Sequence, residues 1–274
     1  MKQIILILTL ITTLACNCQN KQSNAPSATN QPENTQDSTL NILPSKNILL
    51  GKFTPSTDSN FVVIPNHMST YEGLYCEKQT FQAYLAMRDS ALKEGITLTI
   101  VSATRTFDRQ SQIWERKWAN TKCPNDHSYR SNPQRLTSDK THNTDSLQLS
   151  TDICKIRSIM RFSSMPGTSR HHWGTDLDFI SVEPEDWTHG EGLRIYNWLC
   201  ANAHKFGFFQ PYTADPARTG YAEERWHWSY RPLSEAYLKA YTQTITPTDI
   251  TGFSGSYLVD SLNIIQSHVL GITQ

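Results

Sequence analysis

Between residues 77 and 101 the chain changes its hydrophobic period once, and that change limits the folds open to it. Phe81, Tyr84, Leu85 and Leu92 recur at roughly helical intervals, and Gly95 follows as a stop. Ile96-Thr97-Leu98-Thr99-Ile100-Val101 then alternates apolar and polar residues, as a half-buried strand does. The same exchange recurs downstream. Asp108 is placed to cap a helix carrying Ile113, Trp114 and Trp118. Residues 119–150 are polar and predict an irregular surface excursion. Residues 173–182 read as a strand, and residues 191–206 as a helix ended by Gly207, with Leu193, Tyr196, Leu199, Ala203 and Phe206 inward. Residues 221–230 supply another strand. The mixture predicts an α+β domain, with helices packed on a small, mainly antiparallel sheet.

The ends of the chain read differently. Lys2 precedes an apolar run, Ile4 to Ile11, too short to span a bilayer comfortably, which predicts an export signal over residues 1–15. Ala15-Cys16 resembles a bacterial lipobox, although Thr13 stands where Leu is usual, and implies acylation of Cys16 and a membrane anchor. Residues 16–50 are mostly Asn, Gln, Ser, Thr and Pro and predict a flexible tether. The folded domain is expected over residues 51–240. Residues 241–274, with Leu258, Leu262, Ile265 and Val269 at helix-like intervals, are expected to pack on it. Twenty-five basic residues balance 25 acidic ones, so no net field draws the chain to nucleic acid. Of the six cysteines, Cys123 and Cys154 flank one polar segment and can pair in an oxidising compartment. Cys200, within a helical pattern, is expected as a buried free thiol. No pair has CxxC spacing, which argues against a cysteine metal site.

Three distant segments concentrate reactive side chains: Ser102 to Gln110, Pro166 to Asp178, and Glu223 to Trp228. Metal-assisted hydrolysis needs three imidazole or carboxylate ligands, a carboxylate base, and a fixed cation facing the developing oxyanion. His171, Asp178 and His227 can supply the ligands, Glu224 the base and Arg105 the cation.

The order and spacing sharpen this. Ser169-x-His171-x-x-Gly174-x-x-x-Asp178, followed by Glu224-x-x-His227, resembles the D-Ala-D-Ala metallopeptidases of the lysostaphin-like group. The resemblance spans roughly residues 60–235. It implies a Zn²⁺ held by His171, Asp178 and His227, Glu224 as base, and hydrolysis by zinc-bound water. Ser102-x-x-Arg105-x-x-x-x-Gln110 matches a further family element, which implies transition-state stabilisation by Arg105; Ser102, Gln110 and Ser169 are expected to contact substrate. The implied substrates are peptidoglycan peptides, and the implied activity is D,D-carboxypeptidase, with L,D-carboxypeptidase or L-Ala-D-Glu endopeptidase as alternatives on the same site. Asp176 stands where the family usually has a small residue, so it is a rival ligand or a partner for a ligating His. His172 competes with His171, because strict period-two counting from Asp178 favours it.

Two other readings fit parts of the sequence. Ser90-Ala91-Leu92-Lys93 fits the Ser-x-x-Lys of serine peptidases, but it lies mid-helix and neither Ser-Asp-Asn nor Lys-Thr-Gly occurs. A non-catalytic wall-binding lipoprotein with structural zinc would close the fourth position, for example with Asp176. Such a site needs neither Glu224 nor Arg105.

Overall fold

The computed structural model describes residues 44–123 and 140–273. The expected signal, Cys16 and most of the tether lie outside them. No helix among the described residues is long and apolar enough to cross a membrane. The described chain starts with a short helix, α1 (Lys46–Leu49), whose Leu49 is fully buried beside Leu50. The core thus recruits residues that composition assigned to the tether.

A two-stranded sheet follows, β1 (Phe61–Val63) against β2 (Tyr75–Glu77), antiparallel. Glu77 then caps α2 (Lys78–Lys93) by accepting from the backbone N–H groups of Gln79 and Thr80. The main sheet has four strands, all neighbours antiparallel. They are β3 (Ile100–Ser102), β4 (Asp176–Phe179), β5 (Phe208–Phe209) and β6 (His227–Tyr230), in the order β3-β4-β6-β5. The helices are α3 (Phe107–Asn120), α4 (Lys140–Ile159), α5 (Gly190–Asn202) and α6 (Arg231–Thr244). The fold is α+β with a small antiparallel sheet, as the alternating periods predicted.

Several local expectations are corrected. The strand expected over residues 96–101 pairs only from Ile100, because Ile96 N–H returns to Ala91 at the end of α2 and the Leu98 carbonyl accepts from Tyr84 Oη. The strand expected over 173–182 shrinks to β4. Before it, Arg170–Trp173 form a 3₁₀ turn, and Gly174 takes a φ of 71° that most side chains avoid. Residues 221–226 are not strand: Ala222 N–H bonds Arg161 O and Glu224 N–H bonds Tyr212 O, so their backbone is committed to loops. Thr106, not Asp108, caps α3, accepting from Arg109 N–H at 3.2 Å. Of the polar excursion expected over 119–150, residues 124–139 lie outside the described residues, and from Lys140 it is replaced by α4. Its C-terminal part buries Ile156 and Ile159, an apolar face too short to be read against its polar first half.

The expected boundary at residue 240 falls inside α6, whose Ala240 and Tyr241 are buried. The C-terminal segment forms short turns rather than one helix, yet Ile250, Leu258, Val259, Ile264 and Val269 enter the same core as Trp114, Ile156 and Trp173. Cys123 and Cys154 form a disulfide, while Cys200 is disulfide-bonded rather than free. Cys76 is a buried free thiol.

Candidate metal centre

Sheet register brings the first groups together. Asp178 on β4 lies opposite Ser102 on β3 and His227 on β6, so one cross-strand row carries all three. The 3₁₀ turn before β4 brings in His171. Ser169 caps that turn, accepting from His171 N–H at 3.3 Å. Gly174 then lets the chain swing into β4: a Cβ there would stand 2.5 Å from the Phe61 ring and 2.8 Å from Glu77 N.

Each ring nitrogen has a defined place. His171 Nδ1 donates to Ala103 O at 2.8 Å, which leaves Nε2 facing Asp178 Oδ2 at 3.3 Å. His227 Nε2 donates to Asp176 Oδ1 at 2.9 Å, so its Nδ1 faces inward, 3.3 Å from Asp178 Oδ1 and 3.3 Å from Glu224 Oε2. His171, Asp178 and His227 offer donor atoms that all lie within 4.8 Å of one another, and all three residues are buried.

His172 turns away. Its Nδ1 donates to Arg105 O at 2.6 Å and its Nε2 accepts from Gly167 N–H at 3.0 Å, so both nitrogens are occupied. Asp176 is likewise engaged, accepting from Arg170 Nε at 2.9 Å and from the Thr175 hydroxyl as well as from His227. Arg170 also donates to Ser229 Oγ and is 1% exposed, so this ion pair is sealed in the sheet.

The donor set suits a tetrahedral cation. Ligand atoms about 2.0–2.2 Å from such an ion stand roughly 3.3–3.6 Å from one another. His171 Nε2 lies 3.3 Å from Asp178 Oδ2 and His227 Nδ1 lies 3.3 Å from Asp178 Oδ1, so each imidazole stands at that spacing from one oxygen of the carboxylate. Within the protein, His171 Nε2 and Asp178 Oδ1 are buried without a hydrogen-bond partner, the condition expected of atoms awaiting an ion.

The charges are coupled. Burial opposes the Asp178 carboxylate, yet His171, His227 and Arg105 together hold its pKa at about 2. Burial also opposes a charged His227, but Asp176 and Glu224 lift it to about 9. Burial dominates at Glu224 and raises its carboxyl above the usual range, and burial and Arg105 lower His171.

Arg105 Nη1 stands 3.9 Å from Asp178 Oδ2 and donates to Ser102 Oγ at 3.4 Å, with its Nε buried and unpartnered. Arg105, Ser169, His171, Glu224 and His227 share one small cleft. Ser102 and Gln110 do not line it. Ser102 sits behind Arg105, and Gln110 is buried, donating to Ser164 O at 2.7 Å. Arg170 lines the cleft too, and sequence reasoning missed the remaining four lining residues, Phe162, Ser164, Tyr212 and Tyr221, which come from loops with no periodic pattern. It also missed the role of Arg170, although an Asp at an unusual position six residues away was a clue to an internal ion pair.

This fold and site define a class. Residues 73–233 match the VanY family, D-alanyl-D-alanine carboxypeptidase. The chain belongs to that family. A D-alanyl-D-alanine carboxypeptidase of Enterococcus faecalis is 28% identical over 156 residues, 57% of this chain and 47% of the relative. The chain thus spans about half the length of that curated relative. Among solved structures, VanYB in complex with D-alanine-D-alanine is 22% identical, covering 77% of this chain and 92% of that one, with a TM-score of 0.45. A mutant of the vancomycin-resistance D,D-pentapeptidase VanY in complex with Zn(II) is 23% identical, covering 69% and 93%, with a TM-score of 0.42.

Proposed function

We propose that this chain is a zinc-dependent D-alanyl-D-alanine carboxypeptidase acting on peptidoglycan stem peptides. The observation that carries the reading is the convergence of two unsatisfied buried donor atoms, on His171 and Asp178, with the inward Nδ1 of His227, next to a buried carboxylate and a guanidinium. His171 Nε2, the Asp178 carboxylate and His227 Nδ1 would hold the ion. A bound zinc supplies a Lewis acid and lowers the pKa of water to roughly 7.

The chain's own groups do the rest. Glu224 accepts the proton of the attacking water and returns it to the departing amine; burial, which raises its pKa, favours the return. Arg105 faces the oxyanion that forms on the scissile carbonyl. Asp176, clamped by Arg170, fixes the His227 tautomer so that Nδ1 stays bare. With Asp176 so engaged, the closed, structural form of the site loses its fourth ligand. Ser169 supports the turn that presents His171, and Ser102 and Gln110 support Arg105 and the Ser164 loop. Export through residues 1–15 and anchoring through acylated Cys16 would place the enzyme beside the wall.

The test is incubation of the full chain with pentapeptide and tetrapeptide stems, with products read by mass. Loss of one alanine from the pentapeptide, abolished by a chelator and restored by zinc, is the expected result. Cleavage of the tetrapeptide alone, or of an internal bond, would move the reading to the L,D- or endopeptidase alternatives. No chelator-sensitive product would overturn it.

A further inference from the structure

Beside the cleft lies a cavity of about 410 Å³ between the end of α4, residues 220–222 and the C-terminal segment. Ile156, Met160, Leu262 and Ile264 make its walls apolar, Arg157 and Arg161 stand on it four residues apart, and no acidic residue lines it. Among the described residues neither arginine has an ion-pair partner. His268, also on the wall, is held near a pKa of about 4 by burial and Arg218, so the two guanidiniums carry the cavity's charge at neutral pH. This size falls within the range of small-molecule sites, and apolar walls with a few fixed charges are their usual make-up.

The cavity and the metal cleft share a border. The Arg161 guanidinium lies 5.5 Å over the ring of Phe162, which lines the cleft. On the inner side, ring-to-ring steps of 4.9, 5.0 and 5.0 Å lead from His227 through Tyr212 and Tyr221 to His268. Tyr212 and Tyr221 are buried, so these rings form the wall between the two sites, and a peptide passes from cleft to cavity over the outer side, past Phe162 and Arg161.

We propose that this cavity is a subsite for the acidic part of the stem peptide upstream of the cleaved bond, with Arg157 and Arg161 receiving the D-Glu carboxylate. The proposal rests on the peptidase reading above and extends it. D-Glu lies two residues before the residue whose carbonyl is attacked, about 7 Å of extended peptide, comparable with the 5.5 Å from the cleft-lining Phe162 ring to the Arg161 guanidinium. Arg157 and Arg161 are exposed, so both present their guanidiniums to a carboxylate passing over the cavity mouth, where planar, paired donors fit it. The cavity would thus reward a full stem over a free D-Ala-D-Ala end.

The experiment uses the zinc-loaded full chain and an Arg157→Gln/Arg161→Gln double variant. Three substrates are compared: a short acylated D-Ala-D-Ala peptide, a pentapeptide with a free D-Glu carboxylate, and the same pentapeptide amidated there. The variant is expected to lose roughly twofold to thirtyfold in kcat/KM on the free-carboxylate pentapeptide, through KM, the range of two solvent-exposed ion pairs. Turnover of the short and amidated peptides should be unchanged, which also shows that the variant folds. Equal loss on all three substrates, or no loss on any, would overturn the subsite. Calorimetric binding of the two pentapeptides keeps the test separate from turnover. If the wild-type chain cleaves neither but binds the free-carboxylate form more tightly, the subsite stands while the peptidase reading falls. Equal affinity for both forms overturns the subsite.

Discussion

Replacing Asp176 by Asn removes one negative charge from a fully buried cluster while keeping its shape. In the native chain Asp176 accepts from Arg170 Nε at 2.9 Å and from His227 Nε2 at 2.9 Å, and Arg170 has almost no access to solvent. Breaking a buried ion pair from one side costs about 3–5 kcal/mol, because the other charge stays buried. Asn keeps an acceptor oxygen, so Asp176→Asn should lie near the lower end, about 3 kcal/mol. At about 2–4 °C per kcal/mol for a domain of this size, the midpoint should fall by roughly 6–12 °C. Zinc affinity should weaken by about 10-fold as His227 Nε2 exchanges a carboxylate acceptor for a neutral amide oxygen. An Arg170→Met/Asp176→Ala double variant separates the two effects. It leaves neither charge of the pair buried, so stability should return towards wild type, yet His227 Nε2 now lacks an acceptor and zinc should be held more weakly still, by up to about 100-fold. Thermal unfolding and chelator competition read these quantities. Wild-type zinc affinity in either variant would refute the argument that Asp176 orients His227.

Three further outcomes follow from the same geometry. His227→Ala should abolish stoichiometric zinc in elemental analysis, and one equivalent of tightly held zinc in that variant would remove His227 from the ligand set. Gly174→Ala should be strongly destabilising, because its φ is 71° and the new Cβ would press on Phe61 and the Glu77 backbone; an unchanged unfolding midpoint would show that β2 yields. In the metal-free chain burial disfavours the His227 imidazolium, but Asp176 and Glu224 overcome it and raise the pKa to about 9. An unfolded His titrates near 6.5, so this stabilisation is fully present below about pH 6.5 and lost as pH rises through about 9. Zinc competes with the same proton and should bind more tightly over that window. Metal-free melting that rises with pH there would contradict this assignment.

The legible parts of the molecule were those where one local rule acts alone. The α2 pattern and its Gly95 stop survive into the structure because amphipathic spacing and a φ of 69° both serve that end. The separations among His171, Asp178, Glu224 and His227 were readable because a turn, a strand and a loop fix them locally. Strand lengths were not, because β4 and β6 end where their partners end rather than where apolar alternation ends. Whether His171 or His172 faces Asp178 depends on Gly174 and on carbonyls of residues 103 and 105, more than sixty positions away. The fate of Asp176 depended on Arg170 and Ser229, and the second cavity on the folding of residues 250–269 against α4. These are tertiary facts, invisible to a window of sequence.

The central claim is that Glu224 moves the proton at a metal site built by other residues. The direct measurement is zinc content and pentapeptide hydrolysis in a Glu224→Ala full chain, side by side with wild type. The account predicts one equivalent of zinc in both proteins and a loss of turnover of about 10²- to 10⁴-fold in the variant. Near-normal turnover with zinc bound would contradict it.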